Sequence, residues 1–156
     1  MPSRIIRTPE DMAELVATFS ALSLPITVSW VKGADRTTEQ NNLQWKWANE
    51  AAMQLGDRTA ADVQAEWKLE IGVPILRGAD DAYRALYDAT IRSLPHAMKI
   101  KLMEQGYPVT SIMKVRHMVQ YMDAVQRQSI GMGLQLTEPD PSLAKYQARH
   151  RERADA

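Results

Sequence analysis

Ile26-Thr27-Val28-Ser29-Trp30-Val31-Lys32-Gly33-Ala34-Asp35-Arg36-Thr37-Thr38-Glu39-Gln40-Asn41-Asn42 changes periodicity partway along. Its first six residues alternate and are rich in β-branched side chains, which predicts a strand. Lys32 to Asp35 then reads as a turn, and from Thr38 to Leu55 the apolar spacing is helical, with Gly56 placed to end the helix. A strand feeding a Trp-bearing helix points to an α+β chain. The junction also gathers a guanidinium, two amides and an indole within two helical turns, donors and a stacking face that suit a polar, planar ligand.

On the N-terminal side, Arg4 to Arg7 reads as a short strand. Thr8 can cap a helix whose first residue is Pro9 and which runs to about Ala21. On the C-terminal side, Thr59 opens a helix reaching Gly72, and Val73-Pro74-Ile75-Leu76 reads as a short extended piece. Asp80 to Leu94 is a helix stopped by Pro95, and His96 to Gln105 a shorter basic one. Ser111 can cap a long helix carrying Ile112, Val115, Met118, Val119, Met122 and Val125 on one face, ended by Gly131 and Gly133. The fold class expected is α+β, mostly helical with a small β-sheet. It is a single domain over residues 1–138, with a polar basic tail, possible as a helix, at 139–156.

A chain of 156 residues is long enough for one real core. It has no cysteine, which excludes disulfides, thiolate metal sites and a cysteine nucleophile. No apolar run approaches the ~20 residues of a membrane span, so a cytoplasmic protein with no membrane partner is expected. Net charge is zero, but residues 1–91 carry 9 Lys/Arg against 13 Asp/Glu while 92–156 carry 10 against 6, which makes the second half basic. Nine methionines accompany one phenylalanine, and Met98, Met103, Met113, Met118, Met122 and Met132 crowd that half. Flexible thioethers suit either an irregular core or an adaptable protein contact such as a dimer seam.

Thr37-x-x-Gln40 fits a capping box, which alone would account for Gln40. Yet Gln40, Leu43, Gln44, Trp47 and Ala51 share one helical stripe, so two amides sit where the face ought to be driest. Either a buried network satisfies them or the face meets a polar ligand. Trp45, at the border of the stripe, could stack on a base. The basic set Arg92, His96, Lys99, Lys101, Lys114, Arg116 and His117 is either a solvated surface or the phosphate-contacting part of a single-strand site. Catalysis has little to stand on: there is no HExxH, GxSxG, P-loop or dinucleotide motif, and Asp80-Asp81 reads as a helix cap before a metal site. No cofactor, no metal and no catalytic residue are expected.

Pro25-Ile26-Thr27-Val28, followed by Arg36-Thr37-Thr38-Glu39-Gln40-Asn41 and Leu43-x-Trp45, resembles the bacteriophage NinB family. Lys68, Gly72 to Leu76, Pro108 to Ser111 and Met118-x-x-Tyr121 are similar to the form found in NinB-like proteins of other phages and prophages, so the resemblance spans about residues 25–138. It implies a recombination mediator, not an enzyme: a small α+β homodimer enclosing a central cavity, acting in the bacterial host's cytoplasm. Such a protein binds single-stranded DNA and the host single-strand binding protein, and helps to load a recombinase. Carried over by position, Gln40 and Trp45 lie on the cavity-lining helix and Arg36 and Asn41 complete the motif. Arg92, Lys99, Lys101, Lys114 and Arg116 fall where the family places DNA-contacting side chains. The alternative is an adaptor that recognises the single-strand binding protein without strong DNA affinity of its own.

Overall fold

The computed structural model describes residues 4–30 and 38–155. Among them there is helix and no strand or sheet, which overturns the α+β class expected from the sequence and from the family resemblance. The chain divides into two compact units, Met1–Ala34 and Asp35–Ala156.

In the first unit, helix α1 (Pro9–Ser20) starts as its residues dictate. Thr8 Oγ1 accepts from Asp11 N at 3.1 Å, and Asp11 Oδ2 accepts from Thr8 N at 3.2 Å, a reciprocal capping box with Pro9 just inside it. Arg4 pairs with Glu14 across the helix entry. Residues 26–30 remain irregular, as do residues 4–7. Alternation makes a segment fit for a sheet, but a strand exists only through a ladder to a second strand, and the described residues supply none. Val31 to Thr37, including the expected turn and the Thr37 cap, lie outside the described residues.

The second unit is a helical assembly. Its elements are α2 (Thr38–Leu55), α3 (Ala60–Trp67), a π turn (Lys68–Gly72), α4 (Val73–Ala79), α5 (Asp81–Thr90), α6 (His96–Glu104), a 3₁₀ turn (Thr110–Ile112), α7 (Val115–Gly131) and α8 (Pro141–Asp155). Gly56, at φ 78°, closes α2 as expected, and Asp80 caps α5 by accepting from Tyr83 N at 3.0 Å. One core holds Trp47, Val63, Trp67, Val73, Leu76, Tyr87, Met103, Val109, Met113, Met118, Tyr121, Met122 and Val125. Four of the crowded methionines are core residues, whereas Met98 and Met132 are exposed.

Two further expectations are corrected here. Val73 to Leu76 is helical: Pro74, which has no N–H to donate, follows directly on a widened turn in the helical ladder, and Val73 and Leu76 are buried. The helix carries on through the turn from Lys68: Val73 N–H reaches back to Lys68 O, one residue farther than in an α-helix. Ser111 does not cap α7. It sits in the 3₁₀ turn, and Lys114 occupies the cap position with no side-chain hydrogen bond.

Side chains fasten the later chain to α2. Trp47 Nε1 donates to Thr137 O at 2.6 Å, Glu50 accepts from Thr137 N and Oγ1 at 3.1 and 2.7 Å, and Gln54 bonds both Gln135 N and Gln135 O at 2.7 and 2.6 Å. Spacings of three and four residues put these groups on one side of α2. Helix α8 lies along α7 through buried Leu143 and Gln147 and a two-bond Arg151–Asp123 pair at 2.7 Å.

Gly72 is set by space and not by conformation. A Cβ there would come within 2.5 Å of Val109 Cγ1. Gly72→Ala is therefore expected to lower stability by about 1–3 kcal/mol despite the better helix propensity of alanine, read as a fall in the urea midpoint at unchanged m-value.

Candidate nucleic-acid interface

Helix periodicity places Gln40, Gln44, Trp47 and Ala51 on the inner face of α2, and all four are buried. Gln40 has no exposure (0 %), so within one chain it faces the interior and not an open surface. Gln44 and Gln64, each 2 % exposed, meet between α2 and α3, where Gln64 Nε2 donates to the backbone oxygen of Gln44 at 3.3 Å. That bond leaves Gln64 Oε1 as the end without a partner, and Gln44 Oε1 is likewise buried with no donor.

Both amides border a cleft of about 180 Å³, lined as well by Asn41, Trp45, Lys68, Tyr107, Thr110 and Ser111. The volume is below the ~300–1,000 Å³ typical of drug-sized ligand pockets, so the space suits one small planar group. Trp45 is 42 % exposed and supplies the aromatic face. Among the described residues, Lys68 is the one charged side chain in the lining.

The next residue, Leu69, belongs to a second cleft of about 400 Å³, shared with Glu70, Val73, Pro74, Arg77, Tyr87, Arg92, His96 and Lys99. Tyr107 of the first cleft and Tyr87 of the second meet edge to face, ring centres 6.4 Å apart, so the two clefts share a wall. Tyr83 stacks on Tyr87 at 6.1 Å and donates to Pro108 O at 3.3 Å. Burial holds the phenols of Tyr83, Tyr87 and Tyr107 above their ordinary range, so they are neutral donors at physiological pH.

In the second cleft Arg77 is held by Asp88 through two bonds of 2.8 and 2.9 Å, and Arg92 approaches the same carboxylate at 3.5 Å. The Arg77 hydrogen bond keeps the Asp88 carboxyl below its ordinary value. Lys99 has no carboxylate partner among the described residues, so this cleft carries surplus positive charge.

The structure thus divides the candidate residues. Asn41 and Trp45 share the first cleft, and Arg92 and Lys99 share the second with His96. Lys101 points away from Lys99, two residues on along α6, and is exposed outside both clefts. Lys114 and Arg116 are exposed at the start of α7, and Arg36 lies outside the described residues. Gln64 and Tyr107 were not picked out as site residues by sequence, Lys68 and Thr110 entered only through the family resemblance, and Ser111 through that and as a helix cap. Gln64 had a usable signal: with Ala60, Val63 and Trp67 it completes an i, i+3, i+4, i+7 stripe, a polar residue in an apolar row.

Among the described residues no group of three His, Asp or Glu side chains could hold a metal ion, and no helix is long and apolar enough to cross a membrane. Compared with protein-family models, with curated proteins and with solved structures, the chain matches none.

His117 reports on the charge around the start of α7. Burial first, then Arg116 and Lys114, lower its pKa. With a folded value below the unfolded ~6.5, His117 favours the unfolded chain as pH falls through that window. Arg116→Gln should raise the His117 pKa and soften this acid loss of stability, as an NMR titration and urea melts at pH 7 and 5.5 would register. A bound polyanion should raise the same pKa.

Proposed function

We propose that the protein binds single-stranded DNA and serves as a phage or prophage recombination mediator, assisting recombinase loading on strands covered by the host single-strand binding protein. The observation that carries this is the half-exposed Trp45 indole at a polar cleft, which adjoins through the Tyr107–Tyr87 contact a second cleft where Lys99 has no carboxylate partner among the described residues. Stacking accepts any base and cationic side chains supply phosphate affinity, the combination used on single strands. Arg92 and Lys99 contact phosphate together in the second cleft, and Lys101, Lys114 and Arg116 extend the positive surface. Asn41 acts beside Trp45 at the base-contacting cleft, and Gln40 supports the helix that carries both. The mediator role, the homodimer and the cytoplasmic setting rest on the NinB-like motif around Arg36 and Trp45.

Fluorescence anisotropy with labelled single-stranded and duplex oligonucleotides across a salt series tests this. Wild-type protein should prefer the single strand, and Lys99→Ala combined with Arg92→Ala should reduce the slope of log K against log salt by about 0.7 per lost contact. Trp45→Ala should cost ~1–3 kcal/mol of binding with little change in melting temperature. Absence of binding at low salt would remove the proposal. Nuclease-resistant capture of the single-strand binding protein, with no DNA affinity, would favour the adaptor role instead.

A further inference from the structure

Nitrogen-bearing side chains from three parts of the chain meet at the second cleft: Arg77 on α4, Arg92 just past α5, and His96 and Lys99 on α6. His96 and Lys99 are three residues apart and share one face of their helix. Arg77 gives Nε and Nη2 to Asp88, and neither bond uses its Nη1 donors. Arg92 reaches the same carboxylate only at 3.5 Å and stays largely exposed, while Lys99 has no carboxylate partner among the described residues. Glu70, the one acid among the described residues of the lining, is exposed, and its carboxylate lies 3.5 Å from the amide of Gln128, a residue outside the cleft.

The rest of the lining is Leu69, Val73, Pro74 and Tyr87, of which Val73 and Tyr87 belong to the core. Tyr87, packed edge to face on Tyr107, walls the side toward the first cleft. With a volume of about 400 Å³, the cleft falls within the ~300–1,000 Å³ of ligand pockets. Convergent donors beside an apolar surface fit an anion that carries an apolar or planar portion.

The number of donors selects among anions. A carboxylate, or a phosphodiester inside a strand, offers two free oxygens that share one charge, and the diester must also leave the cleft on both sides. A phosphomonoester offers three free oxygens, carries a charge of about −1.5 to −2 at neutral pH, and continues on one side only. Short, charge-assisted bonds from guanidinium and ammonium groups suit that group best.

We propose that the second cleft takes the terminal phosphomonoester of a strand, its three oxygens shared among Arg92, Lys99, His96 and the Nη1 donors of Arg77, with the end nucleotide against Leu69, Val73 and Tyr87. The assignment rests on single-strand binding as proposed above and adds recognition of a strand end to it.

The test measures anisotropy of full-length protein with one internally labelled oligothymidine that carries hydroxyls at both ends, a 5′-phosphate or a 3′-phosphate. A phosphorylated strand should bind about fivefold or more tighter than the hydroxyl strand, and the arm that gains identifies the end the cleft takes. Lys99→Gln combined with Arg92→Gln should abolish the gain with little change in melting temperature. A check independent of that variant and of strand affinity is NMR of the wild-type protein, where thymidine 5′- or 3′-monophosphate should shift the backbone amide signals of His96 and Lys99 and thymidine should not. Equal affinity for all three strands would overturn the end site and leave strand binding intact. If no strand binds, strand binding falls, and the nucleotide decides the phosphate site: shifts at His96 and Lys99 keep it, and their absence overturns it.

Discussion

Gly72 and Val109 approach each other so closely that no side chain fits between them, and both clefts depend on that contact. The helix running from Ala60 to Ala79 widens by one residue at Lys68–Gly72, immediately before Pro74, which has no N–H to donate. The widened turn changes the angular phase of everything after it. As a result Lys68 faces one cleft, and Leu69, Glu70, Val73, Pro74 and Arg77 face the other. Val109 precedes the 3₁₀ turn that brings Thr110 and Ser111 to the first cleft, so one glycine locates both of its sides.

The polar groups of the first cleft are bought with the dryness of the α2–α3 contact. Three glutamines occupy positions that an ordinary helix pair would give to leucine. The surrounding packing is otherwise strongly apolar, with Trp47 and Trp67 nearby in the same core and the 134–137 segment fixed to α2 by three side chains. A rigid setting of that kind lets two carbonyl oxygens stay unpaired without the helices sliding to satisfy them.

Much of this was legible from residue order. Local signals worked where the chemistry is local: the Thr8–Asp11 cap, the span of α2, Gly56 at its end and Asp80 at the start of α5. The amide stripe on α2 followed from counting 100° per residue. What failed was non-local. Alternation at residues 26–30 describes a strand only if another strand is present, and β-branched Val73 and Ile75 read as extended although both are helical and pack on the core. The basic residues form one set in the sequence, yet the turn of α6 separates Lys99 from Lys101, and the 3₁₀ turn sets Lys114 and Arg116 apart again. The pairing of Gln64 with Gln44 required knowing that α3 folds back on α2.

The distribution of methionine has a consequence for how the molecule records its own history. Met12, Met53, Met98 and Met132 stand in solvent, while Met103, Met113, Met118 and Met122 line the core. Peroxide converts an exposed thioether to a sulfoxide at once but reaches a buried one only when the core opens. With no cysteine in the chain to compete, the ratio of inner to outer sulfoxides is a clock of core opening, written covalently and readable by mass after the protein has refolded.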